Sequence, residues 1–131
     1  MENLEETISY YCEVHSRHSL DHPDRSNSLN NLAVAVLTRY ERLGRMDDLE
    51  EAISYHREAL SLRPLGHPDR SSSLNNLEIA VHDRYKLLGR LNDLEEAISY
   101  HREVLSFRPL GHRDRSKSLT NLATAVRTRH E

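Results

Sequence analysis

The chain reads as an all-α protein of about six helices arranged in antiparallel pairs. Three observations predict this: a 45-residue internal repeat, apolar residues spaced three and four apart, and helix-end residues at matching places in every copy. Leu4-Glu5-Glu6-Thr7-Ile8-Ser9-Tyr10 returns 45 residues on as Leu49 to Tyr55, and again as Leu94 to Tyr100. His22-Pro23-Asp24-Arg25-Ser26 returns at His67 to Ser71, and at His112 to Ser116 with Arg113 in place of the proline. Copies 46–90 and 91–131 agree at 28 of 41 aligned positions, and copies 1–45 and 46–90 at 27 of 45. Self-similarity at a fixed period of this size is the mark of a repeat array.

The elements follow in order. Helices are expected at about 3–18, 24–43, 48–63, 69–88, 93–108 and 114–131. In the second of these, Leu29, Leu32, Ala33, Val36, Tyr40 and Leu43 make one apolar stripe, as a helix with one buried face requires. Leu49, Ala52, Ile53, Ala59 and Leu60 do the same for the third. Neither stripe has the period of two that a strand would show. Pro23 and Pro68 fit the first helical position, where a missing N–H costs nothing, and Asp24 and Asp69 suit a first turn. Asp48 with Glu51, and Asp93 with Glu96, read as capping boxes. Gly44 and Gly89 suit the left-handed residue past a helix end. Pro64 and Pro109, followed by Gly66 and Gly111, close the other helix. A lone pair of such helices cannot hide its stripe, so the copies must stack. The expected organisation is one domain over 1–131, in units 1–45, 46–90 and a truncated 91–131.

Composition excludes several classes. With 18 basic and 21 acidic residues the net charge is −3, without the basic excess that nucleic-acid binding demands. No apolar run approaches the ~18–20 residues of a membrane span. The acidic start at Met1-Glu2-Asn3-Leu4-Glu5-Glu6 is unlike a signal peptide. One cysteine, Cys12, allows no internal disulfide and fits a reducing compartment, so a cytoplasmic location is expected.

Ser28-Leu29-Asn30-Asn31-Leu32-Ala33 with Val36, then Glu51-Ala52, Ala59-Leu60 and Pro64, resembles the tetratricopeptide-repeat pattern. His56 and His101 stand where that family prefers an aromatic residue. Gly66-His67-Pro68-Asp69 followed by Leu74-Asn75-Asn76-Leu77 is similar to the longer units of kinesin light chains and of fungal arrays that adjoin a CHAT domain. The resemblance covers essentially the whole chain. A 45-residue unit against the ordinary 34 is accounted for by seven residues near Leu37 to Leu43 that lengthen the first helix, plus four in the loop. Seven residues are close to two turns, so the stripe keeps its phase.

That likeness implies a right-handed α-solenoid whose first-type helices (24–43, 69–88, 114–131) line a concave, peptide-binding groove. The matching outward positions are Asn27, Asn30, Val34 and Thr38, then Ser72, Asn75, Ile79 and Asp83, then Lys117, Thr120, Thr124 and Thr128. Asn31, Asn76 and Asn121 are neighbouring candidates, because an amide both donates to and accepts from a peptide backbone. The competing reading is that these amides serve neighbouring helices or water. Arg39, Arg84 and Arg129 recur every 45 residues and would steer an acidic partner, or else salt-bridge to an adjacent helix. Arg25, Arg70 and Arg115 are expected to pair with Glu50 or Glu95.

His15, His18 and His22 with Asp21 are the one place where a metal is conceivable, and drift of the first copy is the simpler account. No metal or cofactor is expected. No nucleophile elbow, phosphate loop or zinc-protease motif is present, so no enzymatic activity is expected either. The expected role is a scaffold for a protein or peptide partner, without nucleic acid or membrane. The alternative is an element that associates head-to-tail with itself, or a piece of a longer signalling array.

Overall fold

A computed structural model describes residues 3–19, 21–108 and 110–129. It contains six helices and, among the described residues, no strand: α1 (Leu4–Ser16), α2 (Arg25–Leu43), α3 (Met46–Ser61), α4 (Arg70–Leu88), α5 (Leu91–Ser106) and α6 (Arg115–Arg129). No helix is long and apolar enough to cross a membrane. The chain divides into two compact units, Met1–His67 with α1 to α3, and Pro68–Glu131 with α4 to α6.

In the first unit α2 packs on both α1 and α3. Ile8, Leu32, Ala35, Val36 and Ala52 form a cluster, with Leu4, Tyr11, Leu37 and Tyr55 packed against it. Two ion pairs show that α2 and α3 run antiparallel. Arg25 at the start of α2 meets Glu58 near the end of α3 at 2.6 Å, and Arg39 near the end of α2 meets Asp48 at the start of α3 at 2.8 Å. In the second unit α5 packs on α4 and α6, and Leu94, Ile98 and Ala125 cluster with Tyr85, Leu122 and Val126. Each buried Leu or Ile contributes about 1.5–3 kcal/mol by leaving water. The predicted stripe holds at Leu29, Leu32, Ala33 and Val36, but Leu43 at its end is exposed and Tyr40 only half-buried. Leu60 is likewise half-buried.

The helix ends differ from expectation in two ways. Pro23 and Pro68 lie two residues before the first helical residue and not at it, since Asp24 is the N-cap of α2 and Asp69 that of α4. A turn precedes the helix: the backbone N–H of Asp24 donates to His22 Nδ1 at 3.0 Å and that of Arg25 to the carbonyl of His22 at 3.1 Å. The second difference is that α3 and α5 begin at Met46 and Leu91, so Asp48 and Asp93 are third-position residues, not caps. Their carboxylates are buried and take the guanidiniums of Arg39 and Arg84 in place of their own backbone. Gly44 (φ 70°) and Gly89 (φ 66°) end α2 and α4 in the left-handed conformation, as read. Pro64 follows the end of α3 as expected, while Pro109 and the expected tail of the last helix at 130–131 lie outside the described residues.

Candidate binding face

The repeated arginines of the first-type helices are tied down. Arg39 donates to Asp48 of α3 through Nε and Nη2 (3.1 and 2.8 Å) and to Glu5 of α1 through Nη1 (2.9 Å). These partners hold its guanidinium above its usual pKa, the Asp48 bond first. Arg84 grips Asp93 in the same bidentate way (3.0 and 2.7 Å), and Arg129 reaches Glu95 at 3.2 Å. The helix-to-helix reading of these arginines is therefore what the geometry displays. Arg25 and Arg70 pair with Glu58 and Glu103, not with the expected Glu50 and Glu95, because they sit beside the far end of the next helix. Arg115 instead donates to the carbonyl of Arg108 at 2.8 Å.

The asparagines divide. Asn27 accepts from Arg63 Nη2 at 2.8 Å, which ties the start of α2 to the end of α3. Asn30 and Asn76 are half-buried and engaged, while Asn31, Asn75 and Asn121 are exposed. Thr38 turns its hydroxyl back onto the carbonyl of Val34 at 2.9 Å, and Thr124 does the same to Thr120 at 3.0 Å. Asp83 is half-buried and Thr120 exposed.

Two hollows collect these residues. In the first unit Leu4, Thr7 and Tyr11 of α1 face Asn31, Val34, Ala35, Thr38 and Arg42 of α2 across a pocket of about 440 Å³. Val34 lies 46% open on its wall. In the second unit Ala97 and His101 of α5 with Asn121, Thr124 and Ala125 of α6 line a smaller pocket of about 210 Å³. Five of its positions are those of the first pocket shifted by two repeats: Thr7 to Ala97, Tyr11 to His101, Asn31 to Asn121, Val34 to Thr124 and Ala35 to Ala125. Glu78 and His82 of α4 close its remaining side. His101 Nε2 lies 2.9 Å from Glu78 Oε1, both side chains being nearly buried.

The sequence reading missed this pair, and it took Asp48 and Asp93 for helix caps, not for buried partners of Arg39 and Arg84. Glu78 was findable as the odd residue of its position, since the other copies carry Ala33 and Ala123. Asp48 and Asp93 were findable from their fixed nine-residue distance to Arg39 and Arg84.

Among the described residues, His18, His22 and Asp24 are the one set of three metal-type donors lying within 4.8 Å of one another. His15 is elsewhere, bonded to Ser28 Oγ at 3.2 Å, and burial lowers its pKa, with Arg25 adding to the effect. His22 Nδ1 is committed to the turn described above, which puts the ring proton on Nε2 in the neutral imidazole. His112 makes the same 3.0 Å bond to Asp114, where Arg108 replaces His18. The bond is thus turn architecture that the first and third copies share.

Two antiparallel amphipathic helices, repeated at a fixed step and joined by short turns, define a helical-hairpin repeat protein. Residues 26–69, which are α2, α3 and the loop beyond, match the family model of the tetratricopeptide repeat. That segment is a tetratricopeptide repeat, and the family of such repeats is a non-catalytic scaffold family whose domains generally mediate protein–protein interaction. Comparison with curated proteins gave no match. The match also sets the frame of the repeat, since it begins at the first-type helix, 25 residues into the first sequence copy.

Proposed function

We propose that the protein is an interaction scaffold that holds a partner protein or peptide against the outward face of its first-type helices. The observation that carries this is the hollow beside α2, where an open apolar wall at Val34 adjoins the exposed amide of Asn31. Apolar walls with a few fixed polar groups are what ligand sites generally offer. A double variant, Val34→Arg with Asn31→Ala, fills the hollow and removes the amide on a surface that should not disturb the core. Affinity capture should lose specific partners with this variant while its melting stays cooperative. An unchanged partner set would end the proposal.

A second reading, head-to-tail self-association, rests on one observation. Leu119 of α6 is 44% exposed, whereas its repeat equivalents Leu29 and Leu74 are 0% exposed. A second copy could cover that stripe with its own α1, which exposes Tyr10 and Val14. Light scattering from low to high micromolar concentration would show mass growth, and Leu119→Glu would abolish it. A constant monomer mass would exclude this reading.

A further inference from the structure

The two hollows share a place in the repeat but differ in chemistry. The first holds a guanidinium at its rim, Arg42, and no carboxylate. The second holds a carboxylate, Glu78, and no lysine or arginine; Arg127 lines the neighbouring hollow with Thr120 and Ala123. From this contrast, and resting on the scaffold reading above, we infer that the hollow between α4, α5 and α6 is a subsite for an arginine side chain of the partner.

Three features point to that chemistry. The carboxylate of Glu78 has 12% of its side chain exposed, and His101 supplies a single N–H to one of its oxygens. A partly dehydrated carboxylate with spare lone pairs gains strongly from a charged donor, and charge-assisted hydrogen bonds are about twice as strong as neutral ones. The other polar groups of the hollow add acceptors: the amide oxygen of Asn121, and the hydroxyl of Thr124, whose proton is already given to Thr120. A guanidinium brings five N–H donors and no acceptor, so it suits such a lining.

The third feature is flatness. The flat ring of His82, one turn along α4 from Glu78, lines the hollow. A planar, weakly hydrated guanidinium can stack on such a wall while it forks onto a carboxylate, which the compact ammonium of lysine cannot do. Ala97 and Ala125 keep the floor small enough to admit the head group.

The test uses the full chain, ¹⁵N-labelled, with two capped amino acids as probes: N-acetyl-arginine methylamide, and the citrulline analogue that replaces the guanidinium with a neutral urea of nearly the same shape. The arginine probe should shift the amides of Asn121 and Thr124 and bind about fivefold tighter than citrulline, as a charge-assisted contact requires. Glu78→Gln keeps an acceptor for His101 and should bring that ratio near one. Glu78→Ala, the residue that the other two copies carry, should do the same with the fold intact. A ratio unchanged by either variant, equal binding of both probes, or shifts confined to residues outside the hollow would overturn the inference. The probes bind or fail independently of α2, so the capture experiment with the Val34 variant separates failure of the subsite from failure of the scaffold reading.

Discussion

His56 and His101 occupy the same position in successive repeats, and their surroundings are opposite. His101 meets Glu78 at 2.9 Å on the wall of an open hollow. His56 is fully buried, and neither ring nitrogen has a hydrogen-bond partner among the described residues. The residue one repeat before Glu78 is Ala33, which offers no acceptor. Burial, reinforced by Arg63, therefore pushes the His56 imidazole down to about 4. The repeat thus determines where a side chain goes, and single departures from it determine what that side chain can do.

The largest expected effect compares two leucines of one repeat position. Leu74→Ala empties a fully buried site and should cost about 2–5 kcal/mol, whereas Leu119→Ala on α6 should cost under about 1 kcal/mol. Urea unfolding of both variants would measure this, and equal losses would mean that α6 is covered.

Acid should reveal the orphaned histidine next. An unfolded imidazole takes its proton near 6.5, and His56 in the fold only near 4. Between those values the unfolded state binds more protons, so stability is full above pH 6.5 and falls as pH drops towards 4. The loss should reach roughly 3 kcal/mol at pH 4. His56→Tyr, which copies Tyr11 of the first repeat, should remove that share of the pH slope, and an unaltered slope would show that the imidazole is solvated.

Arg39 offers a smaller contrast because it holds two carboxylates, one buried and one open. Asp48→Asn should cost about 2–3 kcal/mol, since a charged bond is lost where water cannot replace it. Glu5→Gln should cost under about 1 kcal/mol, because exposed pairs are screened. Between these two falls Gly44→Ala, which should cost about 1–2 kcal/mol from its φ of 70° alone, with no neighbour within 4 Å of the added carbon. Thermal melts resolve both comparisons.

The helices were legible because their stripes and end glycines are local, and α2 even reaches Leu43 as the seven-residue insertion implies. The starts of α3 and α5 were misread for a physical reason. Asp48 looks like a cap by its distance to Glu51, yet Arg39, nine residues earlier, captures it. No window of one helix contains that competition. The binding candidates were legible as a face but not as pockets. Asn31 and Asn121 line hollows, while Asn27 is occupied by Arg63 from the end of α3, a contact that crosses 36 positions. The Glu78–His101 pair likewise joins α4 to α5 and stood out only as a break in the repeat.

The most direct test of partner docking on the first-type helices is site-specific photo-crosslinking. One photoreactive residue would replace Val34 on α2, and in a second protein Ser54, which is exposed on α3. The account predicts that the captured partner crosslinks from position 34 and not from position 54. Crosslinking from 54 alone, or equally from both, would contradict it.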